Sequence, residues 1–99
     1  MSDNQPKQLE QIRISFDPRE IEEIKAQAQK VDQSISMWVE SAIKMRLSVD
    51  KFESITVRRG HEQLRLRLLK NILDEIKKET KDPRTWIKEA IYFKLSEAL

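Results

Sequence analysis

The apolar positions of this chain switch between two periods, and the switch happens twice. Residues Gln11–Phe16 alternate, with Ile12, Ile14 and Phe16 on one side and Gln11, Arg13 and Ser15 on the other. A period of two over this length predicts a strand with one buried face. Asp17-Pro18-Arg19-Glu20 ends that strand and opens a helix. Asp17 suits the cap, Pro18 the first turn, and Glu20 the acid of a capping box. Ile21, Ile24, Ala28 and Val31 then recur at helical spacing, and Ser34 or Ser36 caps a second helix. Its stripe is Ile35, Trp38, Val39, Ala42, Ile43 and Leu47. The first half therefore reads strand, helix, turn, helix.

The second half repeats the order. Ser54-Ile55-Thr56-Val57-Arg58 alternates and is β-branched, which predicts the second strand, with Arg59-Gly60 breaking it. From His61 to Thr80 a helical stripe runs through Leu64, Leu68, Leu69, Ile72, Leu73 and Ile76. Asp82 and Pro83 open a last helix, with Trp86, Ile87, Ala90, Ile91, Leu95 and Ala98 on its apolar side. A competing strand stays open: Glu62–Leu68 also alternates and echoes Glu10–Ile14. Two points weigh for Ile55–Arg58. Leu and Arg favour helices more than Ile, Thr and Val do, and no breaker precedes a helix that would start after Leu68.

Duplication is clearest in the last helix of each half. Trp38–Leu47 reads WVESAIKMRL and Trp86–Leu95 reads WIKEAIYFKL. Trp, Ala, Ile and Leu recur at the same offsets, and a repeat of this kind governs the fold assignment. The expected organisation is an arm over 1–9, disordered by its polar composition and Pro6. A first unit follows over 10–48, then a joint over 49–53 and a second unit over 54–99. A unit of roughly 45 residues buries too little surface to stand alone without a staple or a partner. The chain has no cysteine and one histidine, which removes disulfide and thiolate-metal staples. Association is left, either between the two halves or between chains.

Charge adds a location. Residues 1–49 hold seven Lys/Arg and eight Asp/Glu, whereas residues 50–99 hold twelve and nine. Arg58, Arg59, Arg65, Arg67 and Lys70 are opposed between positions 58 and 70 only by Glu62. A local basic segment suits a polyanion, although a solvated helix face explains it equally well. Arg65 and Arg67 fall on such a face in the favoured reading. There is no run of ~18 apolar residues and no basic-then-apolar leader, so no membrane contact is expected and the location expected is cytoplasmic. No glycine-rich loop, paired nucleophile and base, or metal cluster is recognisable, so an enzyme is not expected, nor is any cofactor or metal.

Two strands and four helices combine in one economical way. A lone strand leaves its backbone groups unpaired. Two equivalent strands can pair as an antiparallel ribbon over a four-helix core that buries both tryptophans. The strand IRISF or ITVR, the turn VDQSIS and the WVESAIKMRL-like end resemble the ribbon-helix-helix family, and specifically its tandem members with two units in one chain. The resemblance covers about residues 10–48 and 54–98. It implies a mainly α fold with short β strands and sequence-specific binding of double-stranded DNA by the ribbon in the major groove. Transcriptional repression is the commonest role it implies, and a prokaryotic, plasmid or viral source fits it.

Carried over by position, the resemblance puts Gln11, Arg13, Ser15, Thr56 and Arg58 against bases. Ser34, Ser36, Arg59, Arg84 and Thr85 face phosphate, at or near helix starts suited to anions. Asp82 and Pro83 depart from that pattern, being an acid and a residue without N–H. Whether the ribbon closes within one chain or across a homodimer, and whether chains assemble further on DNA, is left open. Two other functions compete. One is an accessory DNA-binding protein of conjugation or partition. The other is a helical dimerisation module without DNA binding, suggested by the low net charge and by Glu20, Glu22 and Glu23 on the first helix.

Overall fold

A computed structural model describes residues 8–97. The elements are β1 (Leu9–Phe16), α1 (Pro18–Lys30), α2 (Ile35–Leu47), β2 (Glu62–Leu69), α3 (Lys70–Glu79) and α4 (Pro83–Glu97). Among the described residues the chain is thus mixed α/β, with one two-stranded antiparallel sheet and four helices, and strand–helix–helix occurs twice in order. The sheet closes within the single chain. Most of the expected arm, and Ala98, lie outside the described residues; Leu9 already belongs to β1. No helix among the described residues is long and apolar enough to cross a membrane.

The local signals of the first half produce what they predict, except that Val31 and Leu47, expected on the apolar stripes, are exposed, Val31 at the C-cap of α1. Asp17 accepts from the Arg19 N–H at 2.9 Å, and Glu20 accepts from the Asp17 N–H at 3.0 Å, closing the capping box ahead of α1. Ser34, rather than Ser36, caps α2 by accepting from the Met37 N–H at 3.1 Å. Ile12, Ile14, Phe16, Trp38, Val39, Ala42 and Ile43 are all buried, as their spacing requires.

The second strand is Glu62–Leu69, so the placement at Ile55–Arg58 is corrected. Burial decides against intrinsic preference. Leu64, Leu66 and Leu68 are buried on the inner face of β2, whereas Ile55 and Val57 are only half-buried in an irregular connection. Three inward leucines remove more apolar surface from water than one isoleucine and one valine, and that outweighs a propensity scale spanning about 1 kcal/mol. The helix expected over His61–Thr80 shrinks to α3, ten residues long, and β2 runs straight into it. Leu69 stands at the cap position with no side-chain hydrogen bond. The link between the halves accordingly runs over 48–61 instead of 49–53.

The core repeats itself at every buried position except Ala28. Ile12, Ile14 and Phe16 are matched by Leu64, Leu66 and Leu68; Ile21 and Ile24 by Leu73 and Ile76; Trp38, Val39, Ala42 and Ile43 by Trp86, Ile87, Ala90 and Ile91. Helices α2 and α4 pack together and exchange cations. The Arg46 guanidinium lies 4.3 Å from the Trp86 ring centre, and the Lys94 ammonium 4.7 Å from that of Trp38. Arg46 also pairs with Glu89 at 2.9 Å and donates to the Trp86 carbonyl at 2.8 Å, while Lys94 donates to the Ser41 hydroxyl at 2.6 Å.

The connection is held against this framework. Phe52 meets Phe93 edge to face at 5.4 Å and also stacks on Arg46, 4.0 Å from its guanidinium. The Arg58 N–H donates to the Tyr92 hydroxyl at 3.1 Å, Lys88 donates to the Arg58 carbonyl, and Tyr92 donates to Glu20. Glu20 therefore serves both the α1 cap and the tether. Gly60 passes so close to the end of β1 that a Cβ would overlap the Phe16 carbonyl and the Asp17 nitrogen.

Candidate nucleic-acid interface

The outward face of the ribbon is built by alternation. With Ile12, Ile14, Phe16, Leu64, Leu66 and Leu68 pointing to the core, Gln11, Arg13, Ser15, Gln63, Arg65 and Arg67 are left exposed on the other side. The register sets them in three rows: Gln11 beside Arg67, Arg13 beside Arg65, and Ser15 beside Gln63. No carboxylate stands in these rows. Glu10 and Glu62 fall on inward-facing positions at the strand ends.

These rows are the non-hydrogen-bonded pairs of the ladder, because their backbone groups turn to the outer edges. The Arg67 N–H donates to the Ser36 hydroxyl at 3.1 Å, and the Arg13 carbonyl accepts from Arg84 Nε at 2.9 Å. In such pairs the Cα atoms stand about 4.5 Å apart and the side chains leave the sheet together. The Arg13 and Arg65 side chains therefore leave the sheet side by side. Like charges directly opposite one another cost a sheet stability.

The same two bonds put a helix start along each edge. Helix α2 begins beside β2, where Ile35 and Ser36 N–H groups precede the first intrahelical bond, from Trp38 N–H to the Ser34 carbonyl. Ser36 uses its oxygen as an acceptor, which leaves its hydroxyl proton to donate outward. Helix α4 begins beside β1, but differently. Asp82 accepts from the Thr85 hydroxyl at 2.6 Å and from its N–H at 3.3 Å, and these bonds hold its carboxyl below the ordinary carboxylate value. The Thr85 hydroxyl proton is thereby committed to Asp82, so Thr85 is withdrawn as a phosphate donor. Arg84, which is exposed, donates from Nε to the Arg13 carbonyl and keeps the other N–H donors of its guanidinium.

Of the residues singled out from sequence, Gln11, Arg13 and Ser15 stand together on the exposed ribbon face, and Ser34, Ser36 and Arg84 stand along its edges. Thr56 and Arg58 do not join them. They lie in the connection, where the Arg58 backbone is bound to Tyr92 and Lys88. Arg59 is exposed next to Gly60, at the end of the ribbon that Phe16 closes. Gln63, Arg65 and Arg67 were missed as ribbon residues. The signal that finds them is the matching alternation of Glu10–Ile14 and Glu62–Leu66.

No protein-family model, curated protein or solved structure matches the chain.

Proposed function

We propose that the chain is a double-stranded DNA-binding transcriptional regulator with two ribbon-helix-helix units in tandem. The β1–β2 ribbon enters the major groove, and the starts of α2 and α4 grip phosphates on either side. The observation that carries this reading is the exposed ribbon face, with Arg13 beside Arg65, Arg67 next to them, two glutamines, one serine and no acid. A two-stranded ribbon fits the major groove, and Arg and Gln match the hydrogen-bonding edges of guanine and adenine. Phosphate groups on both walls of the groove meet the Ile35 and Ser36 amides on one edge and Arg84 on the other. Because both strands belong to one chain, a single copy suffices to form the reading unit. Binding without catalysis is the activity assigned.

The test is selection of duplexes from a random pool, followed by titration of the enriched site at several salt concentrations. The expected result is a short enriched motif whose log affinity falls linearly with log salt. The Arg13→Ala, Arg65→Ala double variant should melt at or slightly above the parent and lose the motif. Absence of any enriched duplex, or affinity indifferent to salt, would overturn the reading.

A further inference from the structure

The register sharpens what such a ribbon would read. Counterparts in the two strands follow from the alternation: Gln11 corresponds to Gln63, Arg13 to Arg65, and Ser15 to Arg67. The pairing centres on the middle row, where Arg13 faces its own counterpart. A two-fold axis through that row, normal to the ribbon, exchanges Gln11 with Gln63 and would exchange Ser15 with Arg67. The reading face is therefore two-fold symmetric at four of its six side chains. It is broken only where a serine stands for an arginine.

Resting on the DNA-reading assignment above, we infer that the target is a palindrome broken at one step. Its centre is symmetric under Arg13 and Arg65, and one arm alone carries a guanine contacted by Arg67. The broken step lies one row from the centre. Rows on one face of a strand are about 7 Å apart, about two base-pair steps along the duplex. Arg pairs with guanine through two hydrogen bonds, whereas serine accepts or donates a single bond to any base. The arm under Arg67 should thus discriminate strongly at that step, and the arm under Ser15 weakly. The asymmetry also gives the protein a direction on its site. The Gln11–Arg67 row lies towards Leu9 and Leu69, and the Ser15–Gln63 row towards Phe16 and Gly60.

Three proteins test this in parallel selections from one randomised duplex pool: the parent, Ser15→Arg and Arg67→Ser. Both substitutions sit on the exposed face, and Arg67 holds Ser36 through its backbone N–H, which either residue supplies. The parent should enrich a motif with a strongly preferred guanine in one arm only. Ser15→Arg should enrich a full palindrome carrying that guanine in both arms, with about ten- to a hundredfold discrimination at each. Arg67→Ser should enrich a palindrome with neither. A parent motif already symmetric at this step, or a Ser15→Arg motif that keeps one weak arm, would overturn the inference while leaving DNA reading intact. If none of the three enriches any duplex, the DNA-binding assignment itself falls and the inference with it.

Discussion

Arg13 lies directly opposite Arg65 across the antiparallel ribbon, in a pair whose side chains leave the same face. A pair of like charges this close is a cost to the isolated fold of about 0.2–1 kcal/mol. Stability and binding should therefore move in opposite directions when one partner is removed. Arg65→Ala is expected to raise unfolding free energy in urea by a few tenths of a kcal/mol on this principle, followed through the two tryptophans. In fluorescence anisotropy with the selected duplex the same variant should lose about 1–3 kcal/mol of affinity and relax specificity at the central step. A loss of stability with affinity unchanged would make Arg65 a structural residue.

The tether between α1, α4 and the connection gives a pH signature. Tyr92 is the sole tyrosine, and burial together with its hydrogen bond to Glu20 pushes its hydroxyl from 10.0 up to about 12. A phenol whose folded value is raised favours the protonated form in the folded state. Its contribution is complete below the unfolded value of 10.0 and is lost as pH climbs towards the folded value of about 12. Phenolate absorbance in the folded protein should therefore rise near the upper value, and stability should fall across that interval. Tyr92→Phe should flatten this part of the stability profile. A phenolate titrating at the ordinary tyrosine value would show that the Glu20 contact is not kept in solution.

The first half of the chain was legible because its signals are local. Asp17, Pro18 and Glu20 cap within one turn, and Ser34 sits one residue ahead of the α2 stripe. The second strand was not legible on the same terms. Ile55–Arg58 and Glu62–Leu68 both alternate, and the decision rests on which one can bury its inner side chains against β1 and four helices. That is a tertiary quantity, and single-residue preference points the wrong way. The register was visible in part, since Gln11-Ile12-Arg13 and Gln63-Leu64-Arg65 match. The tryptophan repeat obscured it, because Trp38 and Trp86 lie at a shorter offset. Helix α3 has ten residues where α1 has thirteen, and the turn over 80–82 is shorter than that over 31–34. The exposed arginines of β2 were consequently assigned to a helix face and their roles given to Thr56 and Arg58.

Arg46 joins the two halves more firmly than any other cation among the described residues. It is enclosed between Phe52 and Trp86, pairs with a largely buried Glu89, and donates to a backbone carbonyl. Removing one member of a largely buried pair leaves the other charge uncompensated, at a cost of about 3–5 kcal/mol when burial is complete. With both side chains about 15% exposed, Arg46→Ala is expected to cost somewhat less, about 2–4 kcal/mol in urea unfolding. Lys94→Ala should cost about 1 kcal/mol, because Lys94 offers one ring contact and a neutral partner. Equal effects of the two substitutions would argue against Glu89 as the source of the difference.

Gly60 marks where the connection must pass the end of β1. A Cβ at this position would overlap backbone atoms of Phe16 and Asp17, which cannot rotate aside as a side-chain tip can. Relief requires moving either the connection, which Tyr92 and Lys88 hold through Arg58, or the cap that starts α1. Overpacking of this kind costs about 1–3 kcal/mol, so Gly60→Ala should lower the urea midpoint clearly. His61→Ala, exposed one residue later, should leave it within about 0.5 kcal/mol of the parent. The strain also acts at the entry to β2, where Phe16 pairs with Glu62 and Ser15 with Gln63. DNA affinity of the folded Gly60→Ala protein should therefore weaken most at the step read by the Ser15–Gln63 row, measured by titrating duplexes substituted one base pair at a time. A uniform loss across all positions would place the distortion in the phosphate grip instead of the ribbon.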